Sequence, residues 1–170
     1  MNAGEVHRVW IGLGSNVGDR QVYLDRAGYE IEQESIRIIS HSGIYESDPW
    51  GFQSEKLFCN KCIHAETNLD PRKLLDTLKS IEKRLGRETS NPEFGYTDRI
   101  IDLDLLFYDE LVMHTDNLII PHPHIEERLF VLKPLCEIAP GKIHPLLGKS
   151  VKEILEDYTG KERVIRLTRE

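Results

Sequence analysis

Short stretches of the chain alternate apolar and polar residues, a pattern typical of strands with one buried face. The pattern predicts strands over residues 6–13, 36–44, 57–67 and 99–108, and residues 164–167 could form a last strand. Residues 118–120 are a further short apolar segment. These runs of four to eleven residues have the length of strands in compact domains, about 3–10 residues.

Helical spacing of apolar residues follows the first and third of these strands. The first helix is predicted to bury Leu24, Ala27, Gly28 and Ile31. Asp70-Pro71 begins the second, because Asp accepts hydrogen bonds from free backbone amides and Pro suits the first turn. Gly86 ends it.

The C-terminal part of the chain predicts two more helices. Residues 125–133 have helical spacing, and Pro134 is predicted to break or restart that helix because it lacks a backbone donor. Ser150 and Glu153 form a capping box at the start of the other. Strands therefore come in groups separated by helices, which favours an α+β fold with a mainly antiparallel sheet. Residues 87–98 show no periodicity, and a loop of this length is often a lid or a binding loop.

Composition narrows the possible partners. The chain has 22 Lys and Arg against 29 Asp and Glu, a formal charge of −7, which argues against a nucleic-acid partner. No run reaches the roughly 18 apolar residues of a membrane span, and the first residues do not resemble a signal peptide. Cys59, Cys62 and Cys136 are too few and too scattered for a secreted disulfide framework. We expect a single cytoplasmic domain over residues 1–170, with no membrane partner, that is a monomer or a weak homo-oligomer.

Two acidic residues mark the strand at 99–108. Alternation places Asp102 and Asp104 on one face, together with Ile100 and Leu106, and an apolar set on the other face: Ile101, Leu103, Leu105 and Phe107. The apolar set is predicted to face the core. Two neighbouring carboxylates on the opposite face can hold hard divalent cations, although solvated acids on a half-exposed strand give the same pattern.

Basic residues flank this acidic pair. Arg99 precedes it, His122 follows in a Pro-His-Pro-His turn, and Arg128 comes next. Carboxylates with Arg and His at one sheet rim suit a polyphosphate bound through Mg²⁺, because the metal cancels ligand charge and the donors bind outer oxygens.

Phe58 and Asn60 form a second candidate group, since residues two apart on a strand share a face. A flat aromatic beside an amide suits a planar heterocycle with a polar edge. Taken in isolation, the pair is better interpreted as a core residue and a polar residue at a sheet edge.

In this order the motifs resemble the 6-hydroxymethyl-7,8-dihydropterin pyrophosphokinase family of folate biosynthesis. The matching segments are GLGSN at 12–16, YESDPWG at 45–51, FCN at 58–60, IEKRLGR at 81–87, DRIIDLDLLFY at 98–108 and PHPHIEERLFVLKPLCEIAP at 121–140. The resemblance covers about residues 6–158, and residues 164–170 lie outside it.

The resemblance implies a reaction and a fold. The reaction transfers pyrophosphate from ATP to the hydroxymethyl group of the reduced pterin and releases AMP. ATP is the co-substrate, and two Mg²⁺ ions are the cofactor. The implied fold is a ferredoxin-like three-layer α-β-α sandwich, which agrees with the antiparallel α+β pattern.

The resemblance also implies residue roles. Asp102 and Asp104 match the metal ligands and, with Arg87 and Arg99, the catalytic positions. The ATP-binding positions are matched by Glu82, Tyr96, Arg99, Leu105, His122 and Arg128. The pterin-binding positions are matched by Ser47, Asp48, Trp50, Phe58, Asn60 and Phe130, with Phe58 and Phe130 sandwiching the ring.

The chain departs from the common family pattern around residues 87–98. Thr89 replaces a second loop arginine, Tyr96 replaces a tryptophan, and Thr97-Asp98 replaces Gly-Pro before Arg99. These changes concern the loop rather than the acidic pair.

Two other functions fit part of the sequence. One is a nucleotide- or pterin-binding protein without turnover, and the other is a metal-dependent hydrolase or nuclease that uses the acidic pair. Asp102, Asp104, Arg99 and His122 together argue against simple binding, and the acidic net charge argues against a nucleic-acid substrate.

Overall fold

An antiparallel sheet forms the centre of the molecule in this computed structural model, which describes residues 4–87 and 97–168. The strands are β1 (His7–Ser15), β2 (Ile36–His41), β3 (Tyr45–Ser47), β4 (Phe58–Thr67), β5 (Asp102–Tyr108), β6 (Met113–His114), β7 (Ile119–Ile120) and β8 (Val164–Arg166). The helices are α1 (Arg20–Glu32), α2 (Pro71–Arg84), α3 (Leu129–Ile138) and α4 (Val151–Glu156).

The main sheet has six strands, of which five run in the order β5-β1-β4-β3-β8. β2 and β3 follow one another along the same edge of β4, β2 against residues 63–67 and β3 against residues 58–60. β6 and β7 form a separate two-stranded sheet. Each named strand pair is antiparallel. With β2 and β3 together taking one strand position beside β4, β1 through β5 with α1 and α2 make a β-α-β-β-α-β ferredoxin-like unit.

Helices cover both faces of the sheet and give three layers. α1 and α2 pack Leu24, Ile31, Leu74 and Leu78 against one face. α3 and α4 pack against the other face, where Trp10 lies in the core. The predicted three-layer α+β sandwich with an antiparallel sheet is confirmed.

The α2 signals are confirmed in detail. The Asp70 side chain accepts hydrogen bonds from the amides of Arg72 and Lys73, and Gly86 follows the helix with a positive φ of 98°. The Ser150–Glu153 capping box is also formed. Among the described residues no helix is long and apolar enough to cross a membrane.

The strand predicted over 99–108 starts later, at Asp102, and does not alternate to its end. Its pairing with β1 shifts register between Trp10 and Ile11. As a result Leu106 and Phe107 both lie in the α3/α4 core, whereas Leu105 lies in the α1/α2 core. The prediction that Phe107 shares a face with Leu105 is wrong, because a bulge inserts one extra residue and reverses the alternation.

The helix predicted over 125–133 is also displaced. Residues up to Arg128 form turns, and α3 runs on to Ile138 with Pro134 inside it. Pro134 removes only the hydrogen bond that its own nitrogen would donate to the Phe130 carbonyl. Burial of Pro134 and of its neighbours Leu132 and Leu135 outweighs that loss.

Candidate active site

A cavity opens on the α3 face of the sheet, beyond the part that α3 and α4 cover. Gly12 and Gly14 of β1 lie on this face, because a Cβ on Gly12 would contact Leu106 and one on Gly14 would stand 3.3 Å from Asn60 Oδ1. The cavity is lined on one side by Arg99, Asp102, Asp104 and Arg128, and on the other by Ser47, Asp48, Trp50, Phe52, Phe58, Asn60 and Phe130. The two groups of candidate residues therefore meet in one place.

Arginines hold the Asp102 carboxylate from two directions. Arg87 Nη1 donates to Oδ1 at 2.7 Å, and Arg99 Nη1 donates to Oδ2 at 2.5 Å. Burial favours the neutral acid, but the two guanidinium groups outweigh it and hold the pKa of Asp102 below its usual range. Asp102 is therefore ionised at neutral pH.

Glu82 supports this arrangement from the end of α2. Its Oε1 accepts hydrogen bonds from the Leu103 amide at 2.7 Å and from Arg87 Nη1 at 2.5 Å. Burial, and then the nearby Asp102 charge, raise the pKa of Glu82 to about 7 against the opposing effect of Arg87. Glu82 thus holds the start of β5 and the Arg87 side chain in place.

Asp104 has weaker cationic contacts than Asp102. Its Oδ2 lies 3.7 Å from Arg128 Nη1 and 3.9 Å from His122 Nε2. Burial and the Asp102 charge raise the pKa of Asp104 to about 7. A cation placed between the two carboxylates would relieve this repulsion.

His122 presents a neutral imidazole to the acidic residues. Its Nδ1 accepts a hydrogen bond from the His124 amide at 3.3 Å, so Nε2 carries the proton and points towards Asp104. Burial, with the charges of Arg128 and His124, lowers the pKa of His122 to about 4. The ring is therefore a hydrogen-bond donor at neutral pH.

Asn60 is the polar centre of the opposite wall. It is 4% exposed, and its Nδ2 donates to Ser47 Oγ at 2.9 Å and to the Tyr45 carbonyl at 3.3 Å. Both amide hydrogens are used in this way, so a ligand is offered the Oδ1 acceptor.

Aromatic side chains surround this amide. Phe58 meets Phe52 edge to face, with 6.1 Å between ring centroids. The Arg128 guanidinium lies over the Trp50 ring at 4.5 Å and over the Phe130 ring at 5.8 Å. Arg128 thus contacts the aromatic wall while its Nη1 approaches Asp104.

Some predicted residues lie elsewhere. The Leu105 side chain is buried in the α1/α2 core and does not line this cavity, and its predicted place near ATP stays a prediction. Glu82 and Arg87 stand behind Asp102 rather than in the cavity wall. Tyr96, Thr89 and most of the predicted lid lie outside the described residues.

The sequence reasoning missed two features of the cavity. Phe52 lines it, and the only signal was an aromatic residue next to Gly51 in a turn-rich segment. Gly12 and Gly14 form its floor, although alternation along β1 already placed them on one face.

The donor set fits a hard divalent cation. Two carboxylates from one strand are the oxygen ligands that Mg²⁺ prefers, and Mg²⁺ commonly takes its remaining ligands from water and phosphate. Within residues 4–87 and 97–168, no group of three or more His, Cys, Asp or Glu side chains could hold a metal on its own. A cation bound here would therefore need further oxygen ligands from water or from the phosphates of a bound substrate.

Comparison with curated proteins gives close sequence relatives. The chain is 42% identical over 153 residues to the 2-amino-4-hydroxy-6-hydroxymethyldihydropteridine pyrophosphokinase of Aquifex aeolicus, covering 90% of this chain and 93% of the relative. The enzyme of the same name from Methylorubrum extorquens is 38% identical over 160 residues, covering 92% and 98%. That from Bacillus subtilis is 41% identical over 130 residues, covering 76% of each.

Solved structures share the fold. A Plasmodium falciparum HPPK-DHPS chain superposes with a TM-score of 0.72 at 15% identity, covering 91% of this chain and 44% of the other. This chain thus spans less than half of the solved chains it matches. A family model described as 7,8-dihydro-6-hydroxymethylpterin-pyrophosphokinase matches residues 10–140, which include the cavity residues of β1, β3, β4, β5 and α3. With the fold, the cavity and these relatives in agreement, the chain belongs to the 7,8-dihydro-6-hydroxymethylpterin-pyrophosphokinase family.

Proposed function

We propose that this cavity transfers the pyrophosphoryl group of ATP to the hydroxymethyl group of 6-hydroxymethyl-7,8-dihydropterin, giving AMP and the pterin diphosphate. The observation that carries the proposal is that two different walls meet in one cavity. We call Arg99, Asp102, Asp104 and Arg128 the charged wall, and Ser47, Asp48, Trp50, Phe52, Phe58, Asn60 and Phe130 the aromatic wall. One wall suits a triphosphate and the other a planar heterocycle.

The bond changes are simple. The hydroxymethyl oxygen releases its proton and forms a bond to the β-phosphorus of ATP, and the bond from that phosphorus to the oxygen that AMP retains is broken. Such transfers depend mainly on positioning and on stabilising charge. A site that holds both substrates side by side meets the first need.

Charged side chains serve the phosphate end. Arg99 and Arg128 are fixed guanidinium donors near the acidic pair, and the neutral His122 ring offers Nε2–H there. In the proposal these three donors bind phosphate oxygens, while Arg87 exchanges its hydrogen bond to Asp102 for one to the substrate. Preformed donors of this kind stabilise charge that develops during transfer.

Asp102 and Asp104 are the residues that would hold Mg²⁺, and we propose two ions. Bound there, the metal would neutralise triphosphate charge. The raised pKa of Asp104 supports this role, because Arg128 at 3.7 Å does not offset the effects of burial and of the Asp102 charge.

The opposite wall serves the pterin. Asn60 Oδ1 is proposed to accept from a ring N–H, with Ser47 holding the amide in orientation. Phe58 and Phe130 are proposed to stack on the ring, and Asp48 and Trp50 to complete the pocket.

The remaining assignments follow from family membership. We propose that Glu82 supports the nucleotide end through Arg87 and that Tyr96 contacts ATP. We further propose that residues 1–170 form one domain, which is a monomer or a weak homo-oligomer with a cytoplasmic location.

One assay tests the reaction. The protein is incubated with ATP, Mg²⁺ and the reduced hydroxymethylpterin, and the nucleotide products are separated, with a matched sample that lacks the pterin. Pterin-dependent AMP is expected. Formation of ADP or inorganic phosphate would indicate a different chemistry, and pterin binding without any product would indicate a binding protein.

A further inference from the structure

The Asp98 carboxylate joins three segments of the chain at the edge of the cavity. Its Oδ1 accepts hydrogen bonds from Asn16 Nδ2 and from Ser54 Oγ, each at 2.7 Å, and its Oδ2 lies 3.0 Å from Lys56 Nζ. Bonds from Ser54, Lys56 and Asn16 outweigh a small effect of burial and hold the pKa of Asp98 below its usual range. The carboxylate is therefore ionised and fully engaged at neutral pH. We call Asp98, Asn16, Ser54 and Lys56 the clasp.

Asn16 connects the Asp98 carboxylate to the backbone of Arg99. The Asn16 side-chain Oδ1 accepts a hydrogen bond from the backbone N–H of Arg99 at 2.7 Å. The backbone N–H of Asn16 donates to the Arg99 carbonyl at 3.0 Å. The Asn16 residue is only 3% exposed. The Arg99 backbone is thus held on both sides by one residue, and that residue is oriented by Asp98.

The same carboxylate reaches the loop before β4. Ser54 and Lys56 belong to this loop, which also supplies Asp48, Trp50 and Phe52 to the cavity. One side chain therefore connects the loop of the aromatic wall with the backbone of an arginine in the charged wall.

We propose that Asp98 is a positioning residue that sets Arg99 and the loop at 48–57 in register with each other, so that both substrates meet in the correct geometry. The proposal rests on the proposed function.

The contacts differ in expected strength. Lys56 is 56% exposed, and exposed ion pairs contribute little. The bonds from Asn16 and Ser54 are short and charge-assisted, which makes them roughly twice as strong as bonds between neutral groups. The Oδ1 contacts rather than the ion pair should therefore hold the clasp.

Four variants test this ranking. Asp98→Ala removes the acceptor, Asp98→Asn keeps an oxygen for Asn16 and Ser54, and Lys56→Ala removes only the ion pair. Asp157→Ala is the matched control, because it breaks an exposed ion pair with Lys149 of 2.7 Å that does not line the candidate active site. For each variant, kcat and both KM values are measured well below its Tm, and hydrogen exchange is measured at the Arg99 amide.

Asp98→Ala is expected to lower kcat/KM for ATP and for pterin by at least about tenfold, since small misplacements of reacting groups are costly. Exchange at the Arg99 amide should accelerate at least about tenfold. Asp98→Asn should recover most of both losses, and Lys56→Ala and Asp157→Ala should stay within about twofold of the unmodified protein.

Several results would overturn the proposal: unchanged kinetics in Asp98→Ala, a loss confined to one substrate, or an Asn variant as impaired as the Ala variant. The exchange measurement needs no turnover. If the unmodified protein makes no AMP, the proposed function fails, while unchanged exchange at Arg99 in Asp98→Ala independently rejects the clasp.

Discussion

The two walls of the cavity are built from different interactions. Around Asn60 the polar contacts are neutral hydrogen bonds to Ser47 and Tyr45, and aromatic rings supply the rest. Around Asp102 the contacts are ion pairs, with Arg87 bonded to two carboxylates at once.

The difference concerns what each wall needs from a ligand. The donors of the Asn60 amide are satisfied within the chain, so a ring can enter without rearranging them. The charged side of the site includes two carboxyl groups, Asp104 in the wall and Glu82 behind it, whose pKa values burial raises to about 7. Arg87 and Arg99 already bond to carboxylates, so a phosphate ligand must exchange partners there.

The largest expected loss of turnover comes from substitutions in the charged wall. Asp102→Ala or Asp104→Ala should lower turnover by at least about 10²-fold, because groups that balance transition-state charge are lost. Both side chains line the cavity rather than a core, so the fold should survive. AMP formation and thermal melting measure the two expectations, with Asp157→Ala as the control.

A rate close to that of the unmodified protein in either variant would show that the acidic pair is only a solvated strand face. Unfolding of the variants would show that the pair is structural.

Substitutions in the aromatic wall are expected to weaken pterin binding, and not turnover alone. Phe58→Ala is expected to weaken pterin binding by about 1–3 kcal/mol, the range for stacking a base on an aromatic ring, with ATP affinity unchanged. Phe52→Ala, which removes the edge contact to Phe58 and part of the cavity lining but neither of the proposed stacking rings, should cost less. Calorimetry with each ligand separates the two walls, and equal losses for both ligands would mean that Phe58 supports the sheet instead.

The smallest expected effects are on the free energy of unfolding, and they come from two arginines near the end of α2. Arg87→Ala should lower the free energy of unfolding by about 1–2 kcal/mol at pH 8, because it leaves Glu82 and Asp102 without a shared partner. Arg84→Ala should cost less than Arg87→Ala, since its pairs with Glu30 and Glu34 are exposed.

The Arg87 deficit should depend on pH. The folded-state pKa of Glu82 lies above its unfolded value, so ionised Glu82 destabilises the fold as pH rises towards about 7, and loss of Arg87 enlarges that penalty. Urea unfolding at pH 8 and pH 5 should show a smaller deficit at pH 5. A deficit that grows on acidification contradicts this account.

Local rules predicted the parts of the molecule that depend on neighbours in sequence. Asp70 and Gly86 bound α2, and alternation placed Asp102 with Asp104 and Phe58 with Asn60 on the cavity face. Cys59 and Cys62 lie in different cores, because residues three apart on a strand point to opposite faces.

The features that sequence reasoning missed depend on contacts between distant residues. The β5 bulge exists because the strand pairs with β1, and Pro134 stays in α3 because its surroundings bury it. Leu105 was assigned to the site through family resemblance, whereas the alternation of the strand already placed it in the core. No local pattern could show that Arg87 bonds to Asp102.

The last strand has a practical consequence for protein engineering. β8 pairs with β3 so that Val164 lies opposite Ser47, and Ser47 accepts the hydrogen bond that orients Asn60. Arg166 and Tyr45 both bond to Glu137, which ties this edge to α3. Both the family match and the motif resemblance stop short of residues 164–166. A truncation chosen from that boundary would therefore remove the outer support of the aromatic wall, and an expression design should retain β8 and attach a purification tag beyond it.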